Sequence, residues 1–552
     1  MGQNHERELA FDIWDWTLPC QQLSLFQQWS KDLKRAGFNV MEITAPWSKL
    51  EPRPHQYDFS FVSQRLAITK KLGMYLRVRI NTYYASAMPA WLKCNLWCDH
   101  TGKVVMPIPS INDDRFWECF LPLCTMLARQ FHNEPVQFSP FIGVHGELKW
   151  SDWWSYDPAS VNKWRQSISI PRPAWLKRIA GNANLPQQPP VLPNHTNGEP
   201  DLSPSHRAFI AFREHSWRGA VYRFVQAIRE GNPRAFISVP LGEGYRSASA
   251  TMSNSDYFGL SRGANHIVHS YDFFWHAKDP AWHAAASVAA LQGITGLPVS
   301  FEIDGPILQE KFGYTDAQIL RVLGAALAEG AHLKIANYSY SDKLPSEHRL
   351  VTEAAKIAQN VTTSRRTDSA NTVLLFVSKW TNYCYREQTE WLHDAQFGAW
   401  HMLTQHGYPV RVVCEDNLQE NLRDYKGIYV AFSPMETLPL EDRKRLEEVA
   451  AILPSVVEVV NTPHARNDRG YTVQTPSGEI PVTHNDLPIL PIDISSLGKQ
   501  WTYLATLGST RLIAHREKRA VIGFPLAFLW LRHKKTPALV HFVEWLFQRT
   551  LG

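Results

Sequence analysis

The chain has 552 residues, with 57 basic and 52 acidic side chains and a formal net charge of +5. At 44% hydrophobic and 20% charged it is neither disordered nor fibrous, and charge spread along the chain rather than gathered in a tail excludes a dedicated nucleic-acid binder. The 21 Trp, 19 Tyr and 26 Phe are the anomaly, since a surplus of flat aromatic faces suits either sugar-ring stacking or large cores.

The N-terminal MGQNHERELAFDIWDW lacks a basic segment followed by an apolar run, so no signal peptide is expected. No apolar stretch approaches the length of a membrane span, and seven cysteines without a disulfide framework fit a reducing compartment. The expected location is cytoplasmic, with no membrane partner.

Eight apolar or β-branched runs then follow one another with room for a helix between them. They are LAFDIWDW (9–16), NVMEIT (39–44), YLRVRINT (75–82), PFIGVHGE (140–147), AFISVPLGE (235–243), HIVHSYDF (266–273), LPVSFEID (297–304) and HLKIANYS (332–339). Helical periodicity fills the gaps, as in 25–37 and 61–73, each closed by a glycine. Strand and helix repeated eight times make a (β/α)8 TIM barrel, with a doubly wound sheet as the alternative.

The connection between the fourth and fifth strands runs to almost ninety residues. Its stretch 182–205 holds six prolines, which forbid a continuous helix. In a barrel this loop walls the catalytic face; a disordered linker is the other reading. After about residue 365 an α/β pattern restarts, with strands at 372–378, 410–416, 427–432 and 455–460, helices over 390–407 and 440–453, strand-like runs in 511–525 and a closing helix at 538–552. This is a flavodoxin-like unit without a Gly-rich phosphate loop, so no cofactor is expected. The expected domains are 1–365 and 366–552.

Polar residues at the C-terminal ends of barrel strands are the catalytic candidates. Glu147 ends the fourth strand and Glu302 the seventh, and two carboxyl groups facing each other across a sugar are what glycoside hydrolysis requires. No basic residue immediately follows either one, which argues against a salt-bridged pair. Arg77, Arg79 and Asn81 alternate on the third strand and so share one face; Arg79 and Asn81, nearest the top, are candidates for orienting Glu302 or a sugar hydroxyl, a structural ion pair being the alternative. Trp150, Trp153 and Trp154 after Glu147, and Trp275 after the sixth strand, can stack on pyranose faces or pack the loop; Trp29 and Trp545 lie in helices and are expected to pack cores. Glu243 and Asp272 are competing carboxylates, Glu243 in a position to bind substrate.

The segment APWSKLEPRPHQYDFSFVSQRLAITKKLGMYLRVRINTYYASAMPAWL (45–92), the fourth-strand glutamate followed by SYDPASVNKWRQ and PAWLKRIAGNANLP, the helix at 207–233 and the seventh-strand glutamate resemble family 42 glycoside hydrolases, the β-galactosidase group of clan A. The resemblance spans nearly the whole chain, and its second unit resembles that family's amidotransferase-like trimerisation domain. It implies Glu147 as acid/base, Glu302 as nucleophile, Tyr271 as hydrogen-bond partner of the nucleophile, a retaining double displacement on an oligosaccharide or glycoside, and a homotrimer. Gly146 stands where clan A has Asn, and the family's substrate-binding Arg has no clear counterpart in 98–113. A non-catalytic carbohydrate-binding or assembly protein and an inverting glycosidase, which GELKW suggests by its likeness to β-amylases, are the alternatives.

Cys94, Cys98, Cys119 and Cys124 lack the spacing of a zinc knuckle, so no metal is expected. Cys414 has no flanking glycines for a nucleophile elbow, so amidotransferase chemistry is not expected in the second unit.

Overall fold

The computed structural model describes residues 7–83, 87–143, 148, 154–192, 200–241, 256–270, 280–311, 313–336, 343–362, 369–385, 390–418, 422–458, 471–482, 494, 497, 500–507, 510–524, 526–533 and 536–552. Eight parallel strands close into a ring: β1 (Leu9–Ile13), β2 (Val40–Pro46), β3 (Tyr75–Asn81), β4 (Val136–Phe141), β5 (Phe236–Leu241), β6 (His266–Ser270), β7 (Val299–Asp304) and β8 (His332–Ala336). Each pairs with its neighbours in sequence, and β8 pairs with β1, so the sheet has no edge. Helices Leu23–Arg35 and Ser60–Lys71 stop where expected, at Gly37 and Gly73, whose φ values of 97° and 64° are costly for any side chain with a Cβ.

The fourth strand differs from its expected position. It is VQFSPF (136–141), ending six residues before Glu147. Pro140 and Ser139 disguise it as a turn in the sequence; a proline is tolerated here because it lies one residue from the end of the strand. The long β4–β5 connection is packed, not a disordered linker, over 182–192. Leu185 and Leu192 are buried, and the Pro186 and Pro190 carbonyls accept hydrogen bonds from Trp164 Nε1 (2.9 Å) and Tyr156 Oη (3.0 Å).

Much of the tryptophan surplus goes into the core. Trp29, Trp47, Trp97, Trp154, Trp164 and Trp217 are fully buried. Trp154 packs 5.6 Å from Trp97 and 5.7 Å from Trp217, so it belongs to this core rather than to a sugar platform.

The remaining strands form one mixed sheet. In chain order they are β9 (Val373–Phe376), β10 (Val410–Val413), β11 (Gly427–Val430), β12 (Ser455–Glu458), β13 (Tyr471–Thr475), β14 (Gly478–Val482), β15 (Thr502–Leu507), β16 (Thr510–Arg516) and β17 (Arg519–Ile522). Their spatial order is β10-β9-β11-β12-β17-β16-β15-β13-β14. The five strands β10 to β17 in that order are parallel, as a flavodoxin-like unit requires. The other four add an antiparallel extension; the tight turns at 476–477 and 517–518 are too short for a parallel crossover. The expected boundary at 365/366 lies outside the described residues.

The sheet and the barrel touch through helix Pro280–Thr295. A Cβ at Gly293 would stand 2.4 Å from the Val412 carbonyl oxygen, so only glycine permits this approach. Among the described residues, no helix is long and apolar enough to cross a membrane.

Candidate active site

Inward-facing positions on barrel strands alternate, and in this chain many of them are charged. Burying a charge is costly unless it is paired, and two layers of ion pairs fill the barrel interior. In the lower layer Arg77 lies 2.5 Å from Glu8 and 3.2 Å from Glu42, and its Nε donates to Gln137 Oε1 at 2.9 Å. Ser300 Oγ donates to Glu8 Oε1 (3.2 Å), and His266 bridges Ser300 (3.1 Å) and Ser238 (2.9 Å). Burial holds the His266 imidazole down at about 3, so it is neutral. Burial works against the Glu8 anion, yet the charge and hydrogen bond of Arg77 beside it outweigh that cost and bring the carboxyl to about 2.

The upper layer lies toward the C-terminal ends of the strands. Glu302 on β7 is the register partner of Lys334 on β8, and Glu42 on β2 is the partner of Asp12 on β1. Lys334 Nζ stands 2.7 Å from Glu302 Oε2, 2.6 Å from Glu42 Oε1 and 3.6 Å from Asp12 Oδ2. Arg79 Nη1 lies 3.1 Å from Glu42 Oε1 and 3.2 Å from Asp12 Oδ2. The side chains of Asp12, Glu42, Lys334 and Arg79 are at most 3% exposed, whereas Glu302 is 14% exposed, so solvent reaches this layer at Glu302. Against the cost of burial, the three carboxylates hold Lys334 above its ordinary range, and Lys334, Arg79 and Arg77 hold Glu42 below its own. Asp12 goes the other way. Burial first, then repulsion from Glu42 and Glu302, pushes it up to about 7 in spite of Lys334 and Arg79.

Above this layer is a polar rim. Asp15 Oδ1 accepts hydrogen bonds from Thr44 Oγ1 (2.7 Å) and Asn81 Nδ2 (2.9 Å), which ties together the ends of β1, β2 and β3. The rings of Trp14 and Trp16 lie 4.5 Å apart, and the Arg79 guanidinium sits 5.6 Å from the Trp14 ring. Leu148 N–H donates to the Pro240 carbonyl at 3.0 Å, bringing the chain after β4 back to the top of β5.

Of the residues expected from sequence, the structure brings together Glu302 and Arg79, joined through Glu42 and Lys334, and sets Asn81 on the rim above them. The lack of a basic neighbour in sequence does not leave Glu302 unpaired, because its cation comes from the adjacent strand. Glu147, Trp150, Trp153, Glu243, Tyr271, Asp272 and Trp275 lie outside the described residues. Sequence reasoning passed over Asp12, Glu42 and Lys334. The signal was there: LAFDI, VMEIT and HLKIA each carry one charge within an otherwise apolar barrel strand.

One further carboxylate group, Glu214, Asp256 and Asp416, has its oxygens close enough together to hold a cation. Protein cations already fill it. Lys379 Nζ contacts all three, at 2.5 Å from Asp416 and 3.4 Å from Asp256, and Arg218 adds bonds of 2.7 Å to Glu214 and 3.3 Å to Asp416. All seven cysteines are free thiols.

Residues 21–96 match the sequence model of the family Glyco_hydro_42, described as beta-galactosidase, which upholds the resemblance read from the sequence. No curated protein sequence matches the chain. Among solved structures, the β-galactosidase from the psychrophilic Marinomonas ef1 superposes with a TM-score of 0.70 at 13% identity, over 96% of this chain and 91% of its own. The β-galactosidase from Bacillus circulans sp. alkalophilus gives 0.68 at 13% identity, over 97% and 88%. The exo-β-1,4-mannosidase Op5Man5 from Opitutaceae bacterium strain TAV5 gives 0.59 at 12% identity, over 99% and 97%. The architecture, a parallel barrel followed by a mixed-sheet unit, is that of the family-42 β-galactosidases.

Proposed function

We propose that the chain is a retaining glycoside hydrolase that cleaves a β-linked sugar by double displacement, with Glu302 as nucleophile and Glu147 as acid/base. The observation that carries this reading is the position of Glu302. It stands in the upper layer of the barrel, held by Lys334, and is the member of that layer most open to solvent. A nucleophile needs this combination of fixed geometry and access.

In this mechanism a Glu302 carboxylate oxygen attacks the anomeric carbon while Glu147 protonates the departing oxygen. Glu147 then deprotonates a water that breaks the sugar–Glu302 ester. Lys334 fixes Glu302, Glu42 and Asp12 fix Lys334, and Arg79 holds those two carboxylates in place. Asp15 offers a carboxylate at the rim to sugar hydroxyls, and the buried Asn81 amide, which donates to it, fixes its position. Trp150, Trp153, Tyr271, Trp275 and Glu243 complete the substrate contacts, Tyr271 as a partner of Glu302. The barrel of residues 1–365 carries the chemistry, and residues 366–552 serve assembly, as a trimer. No metal or cofactor enters this mechanism, and the reading places the protein in the cytoplasm.

Galactosides are the first substrates to test, because the matched family is described as β-galactosidase. The mannosidase on the same fold makes a panel necessary. Aryl β-glycosides of galactose, mannose, glucose, fucose, arabinose and glucuronic acid identify the sugar by turnover. Glu302→Gln is expected to abolish that turnover. Binding without turnover across the panel overturns the hydrolase reading in favour of a carbohydrate-binding protein, and a single inverted product anomer overturns the retaining mechanism.

A further inference from the structure

Among the described residues, the interior of the barrel holds more carboxyls than basic side chains. Among the described residues on its inward face are five carboxyl groups, Glu8 and Asp12 on and beside β1, Glu42 on β2, and Glu302 and Asp304 on β7. Three cations face them, Arg77 and Arg79 on β3 and Lys334 on β8. Gln137 on β4, Ser238 on β5, His266 on β6, and Ser300 and His332 at the lower ends of β7 and β8 also line it. In the upper layer, where Asp12, Glu42 and Glu302 share Lys334 and Arg79, the described carboxylates outnumber the cations, and a proton on one of them relieves their repulsion.

The hydrogen bonds show which carboxyl takes that proton. Glu42 receives Arg77, Arg79 and Lys334. Glu8 receives Arg77 and Ser300. Glu302 has Lys334 at 2.7 Å and access to water. Asp12 has only Arg79 at 3.2 Å and Lys334 at 3.6 Å, both on Oδ2; its Oδ1 is buried with no hydrogen-bond partner. An oxygen without a donor is the costliest place to leave negative charge.

We propose that Asp12 holds the surplus proton in the resting enzyme and releases it when Glu302 becomes esterified, so that the barrel interior keeps the same charge through both steps of the reaction. This rests on the reading of Glu302 as nucleophile. In the first step the bond from Glu302 to the anomeric carbon forms, the bond to the leaving oxygen breaks, and that oxygen takes its proton from the general acid. Glu302 thereby loses its charge, its repulsion of Asp12 disappears, and Lys334 and Arg79 draw the Asp12 anion. The Asp12 proton leaves to solvent. Hydrolysis of the ester restores the Glu302 anion, and Asp12 takes a proton back. Asp12 is a positioning residue in this scheme, acting on Glu302 through Lys334.

The test compares the wild-type protein with Asp12→Asn, whose amide imitates the protonated acid. Both are trapped at about pH 6 with a dinitrophenyl glycoside fluorinated beside its anomeric carbon, and protons released per covalent adduct are counted with an indicator dye. The acid/base group responds alike in both proteins, so the difference belongs to Asp12. Wild type is expected to release one proton more than Asp12→Asn; equal release from fully trapped proteins overturns the proposal. Infrared difference spectra of wild type alone give an independent readout should the variant misfold. A carboxylic C=O band present at rest is expected to vanish on trapping, and a band that is absent at rest or unchanged by trapping overturns the proposal. Failure to form any adduct overturns the nucleophile reading and this proposal with it, whereas adducts with equal proton release remove only the role of Asp12.

Discussion

Lys334 and Glu302, register partners on adjacent barrel strands, form an ion pair of 2.7 Å inside the ring, and the same ammonium lies 2.6 Å from Glu42. One cation thus ties the candidate nucleophile to the opposite wall of β2. Removing it leaves two buried carboxylates without their nearest counter-charge. Lys334→Met is expected to destabilise the protein by roughly 3–5 kcal/mol, read as a lower urea midpoint. Because the penalty comes from the uncompensated anions, the double variant Lys334→Met/Glu42→Gln is expected to recover part of it. Additive losses in that cycle would show that the two residues do not interact.

The pH dependence of stability isolates Asp12. In the open chain its carboxyl titrates near 3.8, and in the fold it is pushed up to about 7, chiefly by burial. The fold therefore binds the extra proton between these values. That contribution is complete below the open-chain value and is lost as pH rises through about 7. Glu8 works in the opposite sense: its stabilising share is present above about 4.5 and is lost as pH falls toward about 2. Asp12→Asn is therefore expected to gain stability relative to wild type as pH rises from 4 to 8, by roughly 1–4 kcal/mol across the window. A constant difference between the two unfolding curves would contradict this.

Between the barrel and the mixed sheet, Lys379 is buried among Glu214, Asp256 and Asp416. Two of these acids come from the barrel side and one from the loop after β10. Lys379→Met is expected to lower stability by roughly 3–5 kcal/mol and to split unfolding into two steps, because the cation joins both units. Calorimetry reads both effects; a single transition at the wild-type temperature would show that the cluster adds nothing.

Gly293 is a backbone contact between the same two units. Gly293→Ala places a methyl 2.4 Å from the Val412 carbonyl oxygen and 2.8 Å from its nitrogen, and is expected to cost roughly 1–3 kcal/mol. Gly324, in helix Asp316–Ala328, has nothing within 4 Å of its added Cβ, so Gly324→Ala is expected to stabilise by about 0.4–1 kcal/mol. Thermal midpoints of the two variants should move in opposite directions.

The barrel was legible because each strand and helix carries its own period and stop signal, as at Gly37 and Gly73. The fourth strand starts four residues before its expected position, because Ser139 and Pro140 break the apolar run on which a strand reading depends. The antiparallel extension β13 to β16 was seen only in part, since short alternating strands such as Tyr471–Thr475 carry weak periodicity. Within the site, Glu302 and Arg79 were visible from strand position alone. Their link through Lys334 and Glu42 was not, because it depends on which strand closes against which and in what register. The same gap explains the Glu302 ion pair: absence of a basic residue along the chain says nothing about the neighbouring strand.

The account stands most directly on the chemistry of Glu302, and trapping with a slow fluorinated glycoside tests it. After digestion, peptide mass mapping is expected to place the sugar on the Glu302 carboxylate of β7 and to find no adduct in Glu302→Gln. A sugar attached to a different carboxylate, or steady hydrolysis that never accumulates an adduct and releases the inverted anomer, would contradict it.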